Sequence, residues 1–376
     1  MIIAVNTRLL LERKMSGIGW FTYHTLKNMV LSHPNHKFVF LFDRPFNEKF
    51  VFSDNVFPEI IAPQARHPFL YYIWFNYSIV PTIKKHKADV FLSPDGLLSL
   101  HLPKIVSIPV IHDINFHHFP EQVPFLMRHY YNHYFPKYVK IAKRIITVSE
   151  YSKNDIVGTY GIDSSIVDVA YNGVSEDFRV IDEDTKKKVK EKYSEGNDYF
   201  LYVGDLLPRK NIPTLINAFS LFKGKTLSLN KLLIVGKKVF YTSEIQKVYN
   251  ESKYKNDIIF TGELPQEDLV NIVGSCKALM FISLFEGFGI PLVEGMRAGV
   301  PVITSNISCM PEIAGDAALL VDPYSIESVC NAMIEISLNE RLRNELIEKG
   351  LKHSQKYSWT NTANIVWSSI EKAVSM

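Results

Sequence analysis

Short apolar runs alternate along this chain with longer stretches in which apolar residues recur at helical spacing. The short runs are rich in Val, Ile, Leu and Phe, and they have the length of buried strands. This alternation predicts βα units and therefore an α/β fold with parallel sheets covered by helices. The predicted strands are 1–5, 38–42, 90–93, 106–112 and 144–149 in the first half, and 200–204, 231–236, 258–262, 278–283 and 300–305 in the second.

Length and composition indicate two domains. A chain of 376 residues with 47% hydrophobic residues can build two cores. A charged stretch at 175–197 separates the two sets of strands, and we interpret it as the hinge region. The predicted domains are therefore residues 1–174 and 175–356.

Charge and cysteine content narrow the class of protein. The formal net charge of +3 is too small to indicate a nucleic-acid partner. The three cysteines have no C-x-x-C spacing, and their odd number points away from a disulfide framework. No apolar run approaches the roughly 18 residues of a membrane span. We therefore expect a protein that is cytoplasmic or peripheral on the inner face of the plasma membrane.

The segment 278–306 carries the strongest chemical signal, because it holds two predicted strands with a helix between them. Pro291 suits the first helical position, so Glu294 should lie in the first helical turn. Ligands of open α/β sheets bind at the carboxyl ends of strands, and carboxylates accept hydrogen bonds from vicinal hydroxyls. Glu286 and Glu294 therefore predict a site for a hexose or a ribose. Alternatively, Glu294 only complements the helix dipole and Glu286 only caps the turn. The turn itself consists of Glu286, Gly287, Phe288 and Gly289.

Two further positions favour phosphate binding. Arg209 and Lys210 follow a predicted strand and a proline. Two adjacent cations can neutralise the charge that develops on a diphosphate leaving group, although such a pair is also typical of a solvated basic turn. Gly17 and Gly19 lie where the first strand leads into a helix that we expect to begin at Trp20. They can bring a phosphate against backbone amides, but the third glycine of the dinucleotide fingerprint is absent.

His112 and Asp113 end the predicted strand 106–112. The histidine can donate to a sugar hydroxyl or to developing charge, and Asp113 can orient the ring or fix the next turn. The alternative is a buried, hydrogen-bonded pair. The neighbouring histidines have no spacing that supports a metal site, so we expect none. The acidic run 182–184 is interpreted as a solvated helix start.

The spacing of Glu286 and Glu294 resembles the E-x7-E motif of the retaining family-4 glycosyltransferases. Further similarities to that family follow in the same order along the chain, at 111–113, 147–152, 172–174 and 202–211. The resemblance implies the GT-B fold, with two facing Rossmann-like domains and an active-site cleft between them. It also implies that the first domain binds the acceptor, the second binds a nucleotide sugar, and a terminal helix at 357–376 crosses back to the first domain.

The resemblance also implies roles for the candidate residues. Glu286 would hold the hydroxyls of the transferred sugar and Glu294 the ribose, while His112 would contact the sugar. The catalytic set would be His112, Arg209, Lys210 and Glu286, with no cofactor and no metal. The donor site would comprise Gly17, Gly19, Arg209, Lys210, Glu286, Gly287, Phe288, Gly289, Ile290 and Glu294.

Three segments, 235–238, 286–289 and 311–318, are similar to bacterial mannosyltransferases of polysaccharide and O-antigen assembly. We therefore expect transfer of a hexose, with mannose from GDP-mannose favoured, to a glycan or a lipid-linked oligosaccharide. UDP-hexoses and dTDP-rhamnose stay open as donors. The alternatives to a transferase are a GT-B-like nucleotide-sugar epimerase and a nonenzymatic nucleotide-sugar-binding protein.

Two segments, 62–88 and 122–149, combine basic and aromatic residues and contain no acidic residue. Basic residues attract anionic lipid headgroups, and Trp and Tyr favour the membrane interface. These segments predict contact with an anionic membrane surface. The alternative is that most of the aromatic residues lie on helix faces packed against the sheet.

Overall fold

A computed structural model describes residues 1–12, 15–102, 104–237 and 243–376. It divides the chain into two compact units. The first consists of Met1–Gly173 together with Ser358–Met376, and the second is Val174–Tyr357. Both units are built on parallel sheets covered by helices, so the predicted α/β fold is confirmed.

The sheet of the first unit has the strand order β3-β2-β1-β4-β5, with every pairing parallel. A parallel bridge from Val110 to Ile146 links it to the separate pair β6-β7. The strands are β1 (Ile2–Asn6), β2 (Lys37–Phe42), β3 (Val56–Ile60), β4 (Val90–Ser93), β5 (Val106–Pro109), β6 (Ile145–Thr147) and β7 (Val167–Val169). The helices are α1 (Gly17–Ser32), α2 (Pro68–Ile73), α3 (Ile79–Lys85), α4 (Asn115–His118), α5 (Phe125–Ile141) and α6 (Glu150–Tyr160).

The last helix of the chain, α15 (Trp359–Ser375), also belongs to the first unit. It packs along α1, where the ring of Trp359 stacks on His24 at a centroid distance of 4.9 Å and Trp367 stacks on His33 at 3.6 Å. Large stacked rings bury much apolar area, so these contacts hold the chain terminus against the body of the unit.

The sheet of the second unit has the order β10-β9-β8-β11-β12-β13, again entirely parallel. The strand order reverses between the neighbours β8 and β11, and such a reversal is where α/β sheets bind ligands. The strands are β8 (Tyr199–Val203), β9 (Lys231–Val235), β10 (Ile258–Gly262), β11 (Ala278–Phe281), β12 (Val302–Ser305) and β13 (Leu319–Val321). The helices are α7 (Glu183–Ser194), α8 (Ile212–Thr226), α9 (Ser243–Glu251), α10 (Gln266–Ser275), α11 (Ile290–Arg297), α12 (Met310–Ala314), α13 (Ile326–Leu338) and α14 (Glu340–His353).

The charged stretch 175–197 lies at the start of the second unit, which begins at Val174. Most of it forms α7, which packs on α10 and buries Val189. The predicted helix start is confirmed, because Asp182 is the N-cap and its Oδ1 accepts a hydrogen bond from the amide of Thr185 at 2.8 Å. The charged side chains of α7 lie on the solvated side of this amphipathic helix.

The three cysteines are free and buried. Among the residues that the structure describes, no helix combines the length and the apolar character that crossing a membrane requires.

Candidate functional site

The turns that follow β8 and β11 lie side by side at the strand-order reversal of the second unit. Arg209 and Lys210 belong to a 3-10 turn, Pro208–Lys210, shortly after β8, and Glu286 lies in the turn after β11. The amide of Leu284 donates to the carbonyl of Arg209 at 2.7 Å, which ties the two turns together. Lys210 and Glu286 are 76 positions apart in sequence, and this bond helps to hold them at one edge of the sheet.

Lys210 and Glu286 form an ion pair in which Nζ of Lys210 donates to Oε1 of Glu286. The two side chains are only 12% and 9% exposed, and the ammonium also lies 4.9 Å from the centre of the Phe281 ring. Burial alone would raise the pKa of Glu286, but the positive charges of Lys210 and Arg209 outweigh it and lower that pKa. Glu286 is therefore a carboxylate at neutral pH, with two cations beside it.

Three hydroxyl groups, two on the last residues of β12 and one on the loop that follows, hold the turn that carries Glu286. Thr304 and Ser305 donate to main-chain carbonyls of Phe281 and Ser283 at 2.8 and 2.6 Å. The hydroxyl of Ser308 accepts from the amide of Glu286 at 3.1 Å and donates to its carbonyl at 2.9 Å. Our sequence interpretation missed these residues, although hydroxyls directly after a buried strand are a signal of side-chain to backbone bonding.

Asn211 connects the same edge of the sheet to β13. It adopts a left-handed backbone conformation with φ of 61° at the end of the 3-10 turn, which asparagine tolerates better than most residues. Its buried side-chain amide donates to the carbonyls of Ile282 and Pro323, at 3.3 and 2.7 Å. This residue therefore fixes the position of the preceding cations relative to the turn after β11.

Gly289 sets the start of α11. It has φ of 88°, and a Cβ there would lie 3.1 Å from Leu292 Cδ1 and 3.2 Å from Phe281 Cε1. The helix begins at Ile290, so Pro291 occupies its second position. The prediction that Pro291 occupies the first helical position is therefore wrong. Glu294 is accordingly the fifth helical residue and lies just beyond the first turn.

The two glutamates of the motif have opposite electrostatic environments. Glu294 is partly buried, and burial raises its pKa to about 7. Glu286 is kept ionised by its cations, whereas Glu294 titrates close to neutral pH. Other members of the predicted donor set lie between the two glutamates in the chain: Gly287 lies in the same turn as Glu286, Ile290 is partly buried, and the buried ring of Phe288 meets Tyr357 edge to face at 5.5 Å.

In the first unit, Gly17 and Gly19 lie inside α1 rather than before it. Gly17 is its first residue, so the prediction that the helix begins at Trp20 is wrong by three residues. A Cβ on Gly19 would lie 2.9 Å from the carbonyl oxygen of Leu9, so the preceding loop packs directly on the helix there. Residues 13 and 14 of that loop lie outside the described ranges, as does Lys238 of the segment 235–238.

His112 is held by its neighbours in the first unit. Its Nε2 lies 2.9 Å from the carbonyl oxygen of Pro94, and because a carbonyl only accepts, Nε2 carries the proton. Burial lowers the pKa of His112, which favours the neutral ring. Of the two roles considered for Asp113, the structure shows the second, since its Oδ1 accepts from the amide of Asn115 at 3.0 Å and fixes the next turn.

A buried ion pair at the strand-order reversal of the first unit was not predicted. Nε of Arg8, after β1, donates to Oδ2 of Asp95, after β4, at 2.6 Å, and the side chains are 8% and 4% exposed. Asn6 at the end of β1 also donates to Asp95, at 2.8 Å. The position of these polar residues at or just after the ends of apolar strands could have indicated the pair, because such strand ends lie together at one edge of a parallel sheet.

Known protein families match both units. Residues 16–178 match the model described as Glycosyltransferase Family 4, and residues 183–353 match Glycosyl transferases group 1. Among solved structures, that of Anabaena HepE in complex with UDP and glucose superposes with a TM-score of 0.74 at 15% identity, covering 99% of this chain and 100% of that one. The chain therefore belongs to the glycosyltransferases of the GT-B fold, and the family resemblance of its motifs is confirmed.

Two curated relatives are named as mannosyltransferases. The O-antigen chain mannosyltransferase B of Escherichia coli is 26% identical over 280 residues, which is 74% of this chain and 73% of the relative. The serotype-specific mannosyltransferase WbdA of Escherichia coli is 30% identical over 230 residues, which is 60% of this chain. That match spans only 28% of the length of WbdA.

Proposed function

We propose that this glycosyltransferase moves mannose from GDP-mannose to a hydroxyl of a glycan or lipid-linked oligosaccharide during the synthesis of cell-surface polysaccharide. The names of the two Escherichia coli relatives support this class of substrate. The glucose and UDP bound to HepE support a nucleotide sugar as the donor, but not a particular base. UDP-hexoses and dTDP-rhamnose are therefore the competing donors that an experiment must separate.

The observation that carries the proposal is the Lys210–Glu286 pair at the strand-order reversal. An ionised Glu286 accepts hydrogen bonds from sugar hydroxyls, and Arg209 and Lys210 together face the charge of a diphosphate. Because Lys210 already neutralises Glu286, a bound donor shares this cation between the carboxylate and a phosphate oxygen. The second glutamate, Glu294, binds the ribose hydroxyls.

The proposed reaction retains the configuration at the anomeric carbon. The acceptor oxygen forms a bond to that carbon while the bond from the carbon to the diphosphate oxygen breaks. The departing phosphate oxygen takes the proton of the acceptor hydroxyl on the same face of the sugar. The chain contributes positioning and electrostatic stabilisation of the leaving group, and we propose that Arg209 and Lys210 supply this positive charge without a metal or other cofactor.

Within the first unit, we propose His112 and the glycines of α1 as ligand-binding groups. With Nε2–H committed to Pro94, the nitrogen left for a ligand is Nδ1, which in the neutral ring accepts a hydrogen bond from a sugar hydroxyl. Gly17 and Gly19 lie in the first turn of α1, whose free amides favour an anionic ligand. In the second unit, Gly287, Phe288, Gly289 and Ile290 shape the turn that receives the sugar.

Thermal unfolding of the purified chain with each donor and its free nucleotide tests the donor. A ligand at 100 times its dissociation constant stabilises the fold by about 2.7 kcal/mol, so GDP-mannose and GDP should raise the melting temperature and UDP or dTDP sugars should not. A shift with UDP-glucose instead would replace the donor and keep the class of enzyme. No shift with any nucleotide would remove the donor-binding role of the second unit.

Turnover with a lipid-linked acceptor then tests the reaction, with the product anomer read by NMR and the metal requirement by a chelator. Lys210→Met should abolish most transfer. Lys277→Met is the matched control, because Lys277 pairs with Asp198 at 2.9 Å at the opposite ends of the same two strands. Tight donor binding without transfer would favour the binding protein, and a changed sugar without transfer would favour the epimerase.

A further inference from the structure

Helix α5 of the first unit exposes a stripe of rings and cations. Phe125, His129, His133 and Lys137 recur every four residues, so they lie along one side of the helix. The rings of Phe125 and His129, and those of His129 and His133, stack at centroid distances of 6.5 Å. Nζ of Lys137 lies 2.6 Å from Nε2 of His133, so the stripe is continuous from one end of α5 towards the other.

The stripe continues onto α2 and the π-helical turn that follows it. Tyr134 of α5 lies 5.8 Å from the ring of Tyr72, which in turn lies 5.9 Å from Tyr77. Phe69, on the same helix as Tyr72, is 65% exposed, and Tyr77 is 53% exposed. We use the name aromatic face for the exposed members of this surface, which are Phe69, Tyr77, Phe125, Leu126, His129, His133 and Lys137.

Other aromatic residues of the same two segments form the core of the unit. Tyr71, Trp74, Phe75, Tyr130 and Tyr138 are buried and belong to one apolar cluster with the sheet. The packing alternative considered from the sequence is therefore correct for these residues. It does not account for Phe125 and Leu126, which are adjacent at the start of α5 and are 69% and 55% exposed.

The charge on this part of the chain has one sign. Segments 62–88 and 122–149 contain no Asp or Glu, while Arg128 lies over the ring of Phe125 at 5.6 Å and Lys137 lies over that of Tyr134 at 5.2 Å. Cations, exposed rings and an aliphatic side chain, on two segments that carry no carboxylate, are complementary to anionic lipid.

We propose that the aromatic face docks the protein on an anionic lipid bilayer, with Phe125 and Leu126 entering the interface and Arg128 and Lys137 contacting headgroups. A glycan fits this surface less well than a bilayer does. A polar glycan offers no apolar partner to the side chain of Leu126, and both segments lack carboxylates, which are strong acceptors for sugar hydroxyls. This docking goes beyond the proposed function and does not depend on which donor the second unit binds.

Co-sedimentation of the full chain with vesicles of phosphatidylcholine, with and without phosphatidylglycerol, tests the proposal. Binding should require phosphatidylglycerol and should weaken as salt rises from 0.1 to 1 M, because the screening length falls from about 10 to about 3 Å. Arg128→Gln with Lys137→Gln should weaken the partition coefficient about fivefold for each cation removed. Phe125→Ser with Leu126→Ser should reduce the binding that persists at high salt.

Matched variants in the second unit separate docking from general effects of charge and exposure. Leu227→Ser with Leu229→Ser removes two apolar side chains that are 84% and 74% exposed, and Lys187→Gln with Lys188→Gln removes two exposed cations of α7. Both should bind vesicles as the unmodified chain does, and all variants should keep its melting temperature. Equal binding to neutral and anionic vesicles would overturn the proposal. Normal vesicle binding by both the Arg128/Lys137 variant and the Phe125/Leu126 variant would also overturn it. This includes the case in which these variants lose affinity only for a soluble glycan.

Discussion

The hydroxyl of Ser308 is hydrogen-bonded to both main-chain polar groups of Glu286, accepting from the amide at 3.1 Å and donating to the carbonyl at 2.9 Å. Ser308 adopts this position with φ of 59°, a left-handed conformation that costs a serine of order 1 kcal/mol. The local strain is therefore offset by two bonds that orient the carboxylate beside Lys210. One hydroxyl on the loop after β12 thus positions the acidic group of the turn after β11.

Ser308→Ala should reduce transfer about tenfold, because removing a bond pair of about 1.4 kcal/mol frees the Glu286 turn. Ser308→Gly should lose activity to the same degree while relieving the backbone strain, so its melting temperature should exceed that of the alanine variant. The measurements are steady-state kinetics and thermal unfolding.

Ser337→Ala is the control for the loss of a hydroxyl, because the hydroxyl of Ser337 donates to the carbonyl of Met333 within the same helix, α13, at 2.8 Å. It should leave transfer unchanged. Unchanged transfer in Ser308→Ala as well would show that the turn keeps its position without this hydroxyl, and the positioning role would be wrong.

Lys210→Met should lower transfer by about 100-fold or more, since one preorganised charge at the leaving group is lost. The variant also leaves Glu286 buried without its partner, which should cost about 3 kcal/mol of stability near neutral pH. The cations keep the pKa of Glu286 below its unfolded value, so their contribution is present above that value and is lost as pH falls through the folded pKa. The deficit in melting temperature should therefore be larger at pH 7 than at pH 4.

The double variant Lys210→Met with Glu286→Gln checks the cause of that deficit. Because Gln carries no charge, the double variant should recover much of the stability at pH 7 and should not recover transfer. A deficit that is the same at pH 4 and pH 7, or that persists in the double variant, would assign the loss to packing of the Lys210 side chain against Phe281.

Much of the fold was predictable because buried parallel strands are continuous apolar runs. Three strands were not predicted, because they lack a long apolar run. β3 is an edge strand that contains Pro58 and Glu59, while β7 and β13 have only three residues each. The packing of the stretch 175–197 on the second unit was not predicted, because its surface charges conceal a buried stripe that includes Val189.

The site was predictable as a set of residues but not as an arrangement. Family resemblance pointed to Lys210 and Glu286, yet nothing in their local sequence indicates that they pair across 76 positions. The hydroxyl of Ser308 escaped notice because its role depends on a φ of 59° that serine seldom adopts. The pair Arg8–Asp95 likewise depends on which strands are neighbours.

Glu294→Gln should stabilise the protein more at pH 8 than at pH 5. Burial raises the pKa of Glu294 to about 7, so ionising this group is harder in the folded chain than in the unfolded one. The unmodified chain therefore loses stability from this group as pH rises from the unfolded pKa to about 7, and loses no more above it. Glutamine does not titrate, so the difference in melting temperature should grow over that range and then level off.

Glu267→Gln, an exposed position in the first turn of α10, serves as the control for that experiment. It should give the same difference in melting temperature at both pH values. A pH-independent effect of Glu294→Gln would mean that Glu294 is ionised without penalty in the folded protein.

Gly289→Ala should destabilise the protein by about 1–2 kcal/mol and lower transfer, because a Cβ at φ of 88° is strained and would press on Phe281 and Leu292. Gly158→Ala in α6 is the opposite case, since a Cβ there would have nothing within 4 Å. It should stabilise by up to about 1 kcal/mol, because alanine favours a helix interior. Urea unfolding and donor binding measure both variants. Full stability and activity in Gly289→Ala would show that α11 can begin without a strained left-handed glycine.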